Sequence, residues 1–126
     1  MYLFDASSIL NLTKKGVIKP FSRGTSLDLA FYESVNAVWK EHAVLKKIDE
    51  QTAAKFIEVL GDVFRVIRML SAEDLEDEVF KIASEENITV YDASYLCLAI
   101  KNKLTLVTDD RKLREASSKI RKHHHK

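Results

Sequence analysis

Five carboxylates fall where chemistry could gather. Asp5 closes the short apolar run Tyr2-Leu3-Phe4, and Asp109 and Asp110 lie just beyond the run Leu104-Thr105-Leu106-Val107. Glu33 follows an alternating stretch at residues 26–30, and Asp92 opens a helix that is apolar nearly all round. Singly, each would serve as a helix cap or a partner of the helix dipole. Gathered in one crevice they would repel, unless protons or cations neutralise them. Hard oxygen donors with no His or Cys beside them suit Mg2+ or Mn2+, not zinc. One or two such ions are the usual equipment for hydrolysing a phosphodiester, where they activate the attacking water and stabilise charge on the phosphate.

That gathering depends on the elements around the acids. The run at residues 2–4 predicts a buried strand. A helix follows, with Ser7 or Ser8 able to cap it and Gly16 able to stop it. Residues 26–30 alternate like a strand, and from Phe31 a helical stripe runs through Val35, Val38, His42 and Leu45. Ala53, Phe56, Ile57 and Leu60 mark another helix that Gly61 could end. The β-branched stretch at residues 63–70 then suits a strand. Ser71 is placed to cap a helix with Leu75, Val79, Ile82 and Ala83 as its inner face. Residues 91–101 form a central, buried helix, residues 104–107 the last strand, and residues 110–119 a short final helix. Strands alternating with helices predict a parallel sheet covered on both faces, an α/β/α sandwich. In such a sheet, ligands bind at the carboxyl ends of the strands. Three of the acid-bearing segments reach that edge, and Asp92 joins them from the helix that leads into the last strand.

Composition narrows the class further. The 126 residues fit one domain, and 46% apolar with 31% charged residues supports a buried core. Three Gly and one Pro are too few for a turn-rich barrel or a Gly-rich phosphate loop. The single cysteine, Cys97, excludes a disulfide scaffold and reads as a core residue in a reducing cytoplasm. No segment predicts a membrane span or a basic leader. The formal charge of +1 hides an acidic body: residues 1–110 hold 13 Lys and Arg against 18 Asp and Glu, while residues 111–126 hold 7 against 1. The domain is expected over residues 1–118, with residues 119–126 a basic, His- and Lys-rich tail.

Four motifs in order resemble those of PIN domains. They are Phe4-Asp5-Ala6-Ser7-Ser8, Glu33-Ser34-Val35-Asn36, Tyr91-Asp92-Ala93-Ser94-Tyr95-Leu96-Cys97-Leu98-Ala99 and Leu106-Val107-Thr108-Asp109-Asp110-Arg111-Lys112-Leu113. Any one is weak, but their order and spacing agree along residues 2–113. The resemblance implies a central parallel sheet of four to five strands and a metal-dependent endoribonuclease acting on single-stranded or structured RNA. In a chain this small it implies the toxin of a VapBC-type toxin–antitoxin pair, with a homodimer and a small antitoxin protein as partners. Carried over by position, Asp5, Glu33, Asp92 and Asp110 are the acids that bind Mg2+ or Mn2+, and Asp109 could share or replace the work of Asp110. Ser7 and Thr108 take hydroxyl positions that orient a ligand or water. Asn36, one turn beyond Glu33, could support the cluster. Where many members add a fifth strand, this chain runs into a basic segment instead.

Several residues have plainer roles. His42 is expected as a packed, hydrogen-bonded histidine, and His123, His124 and His125 as part of the tail. Tyr32, Trp39 and Tyr95 could stack on bases, but core or dimer packing is the simpler reading. Arg111, Lys112 and Arg114 follow the fourth motif and are the preferred phosphate contacts. A haloacid-dehalogenase-type phosphatase would need an Asp where Ser7 stands. A silent RNA-binding or assembly module would be expected to lack one of the acids. A housekeeping RNA-processing nuclease would use the same chemistry without an antitoxin.

Overall fold

The structure, a computed structural model, describes residues 1–124, with side chains described through Ile120. Four short strands, β1 (Tyr2–Phe4), β2 (Gly24–Leu27), β3 (Arg68–Leu70) and β4 (Thr105–Val107), form one parallel sheet in the order β3-β2-β1-β4. Register is fixed by Leu3 opposite both Thr25 and Leu106, and by Ser26 opposite Met69. Six helices flank the sheet: α1 (Ala6–Lys14), α2 (Leu29–Trp39), α3 (Glu50–Val66), α4 (Glu76–Glu86), α5 (Val90–Lys101) and α6 (Arg111–His124). α2 packs on α1 and α3, whereas α5 packs on α4, β4 and α6. This is the expected α/β/α layering, with four strands among the described residues.

The sheet is threaded through the core. β1 is central and β2 is buried at every position, so neither strand alternates polar and apolar faces. Tyr95, Phe21, Leu3, Ile9, Leu27, Leu60, Leu96 and Leu113 are among its largest enclosed side chains. As expected, α5 is buried from Ala93 to Ala99. Gly16 also behaves as predicted: at φ +74° its N–H bonds to the Thr13 carbonyl while that of Val17 reaches Leu12, which ends α1 in a left-handed cap.

Five expected boundaries shift, each for a local reason. The cap of α1 is Asp5 itself, whose carboxylate accepts from the Ser8 N–H. β2 lies at residues 24–27 and not 26–30, because Asp28 already caps α2. Gly61 does not end α3. Leu60, Val63 and Ile67 continue one buried stripe past it, and β3 keeps only three residues of the expected strand. Ser71 makes a turn with the Glu73 N–H, so α4 starts at Glu76. α6 runs on to His124, because Leu113, Ala116 and Ile120 give it an apolar stripe within a Lys- and Arg-rich segment that also favours helix. His125, Lys126 and the tail side chains from Arg121 lie outside the described residues.

His42 is half-buried and pairs through Nδ1 with the Ile48 carbonyl, in a single π-type turn that continues α2. Gly24 permits a close approach. A Cβ there would stand 2.6 Å from the ring of buried Phe4, which packs edge-on against Phe21. Gly24→Ala is therefore expected to cost about 1–3 kcal/mol through overpacking. Urea denaturation checks this, and an unchanged midpoint would show that the ring can move aside.

Candidate active site

Asp5, Glu33, Asp92 and Asp110 line one cleft of about 240 Å³, together with Ala6, Ser7, Leu10, Ala37 and Tyr95. The topology explains the convergence. β1 and β4 are neighbours, so the residues that follow them, Asp5 and Thr108–Asp110, meet at the carboxyl edge of the sheet. Glu33 and Ala37 lie four apart on α2 and face the cleft together. Glu33 is in the second turn of α2, because the helix begins at Leu29. Asp92 sits in the first turn of α5, behind its cap Thr89.

Asp5 is 4% exposed and held from several sides. Its Oδ1 accepts from Ser7 Oγ at 2.8 Å and from the Ser8 N–H at 2.9 Å. Its Oδ2 accepts from Thr108 Oγ1, which in turn accepts the Asp110 N–H at 3.0 Å. Ser7 Oγ accepts the Asp109 N–H at 3.0 Å. Ser8 Oγ lies 3.0 Å from the Asp5 carbonyl and 2.9 Å from that of Val107, so it too ties the ends of β1 and β4. Asp110 caps α6, with Oδ1 accepting the Leu113 N–H at 2.9 Å. These bonds make the capping and clustering readings of the acids compatible: the helix starts aim Asp5 and Asp110 at one place.

Electrostatics follow from this crowding. Burial pushes the Glu33 carboxyl above the usual carboxylate range, and the charges of Asp92 and Asp5 add to it, against the hydrogen bond from Tyr95. Burial likewise raises Asp92, with Asp110 and Asp5 adding, while Thr89 and Lys112 oppose. The Tyr95 phenol is pushed far up by burial and by Glu33, so it stays protonated and donates.

Other candidate residues fall outside the cleft. Asp109 turns away: its Oδ2 accepts from Asn11 Nδ2 at 2.8 Å, and Arg114 stands 3.9 Å from its Oδ1. Asn36 is exposed and does not line the cleft. Arg111 pairs with Glu115 one turn on, at 3.3 Å. Arg114 donates to the Thr108 carbonyl at 2.8 Å, which leaves Lys112 as the cation whose charge acts on Asp92. Two residues carry more of the site than the sequence suggests. Ser8 fastens the strand ends, and Tyr95 donates to Glu33 Oε1 at 2.6 Å. The spacing of Asp92 and Tyr95, three apart on an otherwise apolar helix, was the available signal for the second.

The donor set suits a hard cation, since the cleft offers four carboxylates and neither His nor Cys. Among the described residues, no three His, Cys, Asp or Glu side chains stand close enough to cage an ion directly. One or two carboxylates with several retained waters is the way Mg2+ is usually held in proteins.

A central parallel sheet with acids gathered at its carboxyl edge defines an α/β protein with an acidic crevice. A sequence profile of the PIN domain matches residues 2–119, and the chain belongs to the PIN domain family. Among curated proteins it is similar to "Exonuclease VapC9" of Pyrobaculum aerophilum, 37% identical over 114 residues, which span 89% of this chain and 82% of that protein. "Ribonuclease VapC3" of the same organism is 38% identical over 90 residues, 71% of this chain and 68% of the relative. The crystal structure of PAE2754 from Pyrobaculum aerophilum superimposes with a TM-score of 0.76 at 36% identity, covering 92% of this chain and 78% of that one.

Burial and mutual repulsion of these acids have a consequence for stability. A carboxylate raised above its ordinary value of 3.8 disfavours the folded state once pH exceeds that value, because the unfolded chain gives up the proton first. Asp92→Asn is expected to raise the urea midpoint of the metal-free protein at pH 7, with the gain fading as pH falls towards about 4. A variant less stable than wild type at pH 7 would contradict this electrostatic picture.

Proposed function

We propose that this chain is a metal-dependent endoribonuclease that hydrolyses RNA phosphodiester bonds, the toxin of a VapBC-type pair acting in the cytoplasm. The observation that carries the reading is the convergence of Asp5, Glu33, Asp92 and Asp110 on one cleft. The names of the two relatives, an exonuclease and a ribonuclease, support a nuclease. Mg2+ or Mn2+ bound there would activate water and offset the charge of the scissile phosphate.

The chain's own groups prepare that chemistry. Asp5 spends both lone pairs of Oδ1 on Ser7 and Ser8 and one of Oδ2 on Thr108, which leaves a single direction on Oδ2 for a cation. Asp110 and Glu33 likewise commit one oxygen to a protein donor, and the other accepts no hydrogen bond among the described residues. Glu33 and Asp92, with raised proton affinity, are the groups at hand to take the proton that the attacking water releases. Leu10 and Ala37 line the cleft without adding charge. Lys112, beside Asp92, is the best-placed phosphate contact, and Arg111 and Arg114 reach RNA only by giving up present partners. Asp109 acts on the turn that carries Asp110, through Asn11.

A homodimer and a small antitoxin protein belong to this reading. Large apolar side chains are exposed on α2 (Phe31, Tyr32, Trp39) and around α4 and α5 (Phe80, Val90, Tyr91), as partner surfaces require. No helix of the described residues is long and apolar enough to cross a membrane.

The test is cleavage of linear and circularised single-stranded RNA with Mg2+, Mn2+ or EDTA. Wild type should cut both RNAs only with metal, and Asp5→Asn or Asp92→Asn should lower the rate at least about 100-fold, as loss of a group that prepares the transition state does. Cutting of linear RNA alone would make the enzyme an exonuclease. Activity that survives both substitutions would move the site elsewhere. A wild type that neither cuts RNA nor binds Mn2+ would favour a silent module.

A further inference from the structure

Tyr95 is the one aromatic residue lining the cleft, and it is 1% exposed. Its ring belongs to the core, so stacking on an RNA base is excluded for it. Its hydroxyl reaches out of α5 to Glu33 on α2 at 2.6 Å. The two helices belong to different packing groups, α2 with α1 and α3, α5 with α4, β4 and α6. The bond therefore ties together two helices that both line the cleft. It starts one turn beyond Asp92 on the same face of α5, so a single side chain relates the positions of two of the four acids.

Glu33 has no other hydrogen-bond donor among the described residues, whereas Asp5 has three and Asp110 is held as a cap. A glutamate left alone has three rotatable bonds and loses considerable side-chain entropy when it is fixed. Tyr95 removes that freedom beforehand. Its hydroxyl takes one lone-pair direction of Oε1, and no donor among the described residues takes Oε2. We propose that Tyr95 is a positioning residue for the metal site: it acts through Glu33, setting that carboxylate's rotamer and its separation from Asp92 so that a divalent cation meets a preformed site. This rests on the metal-dependent reading above and adds a residue to it.

The alternative is a purely structural bond, in which Glu33 serves only to satisfy a buried phenol. A double-mutant cycle on Mn2+ affinity separates the two. Mn2+ binding would be measured by electron paramagnetic resonance for wild type, Tyr95→Phe, Glu33→Ala and the double variant, with far-ultraviolet circular dichroism to confirm folding. Tyr95→Phe keeps the ring and is expected to weaken Mn2+ binding by about 10- to 100-fold, as loss of an orienting partner typically does. In the Glu33→Ala background the same change should add less than about twofold, because the group it acts through is gone. Equal losses in both backgrounds, or Tyr95→Phe binding Mn2+ as wild type does, would overturn the inference. If Tyr95→Phe fails to fold, saturating Mg2+ provides a second measurement. It should give a tyrosine ultraviolet difference signal in wild type and none in Glu33→Ala, and a signal that persists in Glu33→Ala would overturn the inference. A wild type that binds no Mn2+ would overturn the metal reading itself, and the inference with it.

Discussion

Four carboxyl groups crowded into one cleft are the constraint to which the rest of this fold answers. At an effective dielectric near 20, two carboxylates about 6 Å apart repel by about 3 kcal/mol, comparable to the loss of a large core contact. The chain offsets this with directed donors. Asp5 receives two hydroxyls and a backbone N–H, Asp110 the first turn of α6, Glu33 a phenol. Lys112 is set beside Asp92. Burial first, and then the charge these donors do not offset, raise the carboxyls of Glu33 and Asp92, the two acids carried on flanking helices.

The strand ends make the arrangement rigid. Ser7, Ser8 and Thr108 form a small hydroxyl network that stitches the segment after β1 to the segment after β4. Each of these hydroxyls both donates and accepts or bridges two acceptors, a task for which Ser and Thr are the smallest suitable residues. The network gives the almost enclosed Asp5 carboxyl group donors on both oxygens. It also directs the dipeptide Asp109-Asp110, so that one carboxylate enters the cleft and the other is drawn off to Asn11.

How much of this was legible in the sequence depends on the range of the interaction. The layering, the buried α5 and the left-handed stop at Gly16 follow from local periodicity and turn chemistry, and all three hold. So does the arrival of Asp5 and Asp110 at one edge, because parallel topology imposes it. Boundaries set by competition were not legible. Gly61 is tolerated inside α3 because a buried stripe continues beyond it, and Ser71 makes a turn in place of a cap. The choice between Asp109 and Asp110 rests on Asn11, nearly a hundred residues away in sequence, as the contact between Tyr95 and Glu33 rests on helix packing. Spacing along one chain can set Tyr95 beside Asp92, but it does not name the distant partner in either pair.

The claim that the four acids form one cation site is tested most directly by anomalous diffraction from crystals grown with Mn2+. The account predicts a peak inside the cleft within coordination distance of carboxylates from Asp5, Glu33, Asp92 and Asp110, directly or through ordered water. A peak beside Asp109 or elsewhere on the molecule, with the cleft empty at saturating Mn2+, would contradict it.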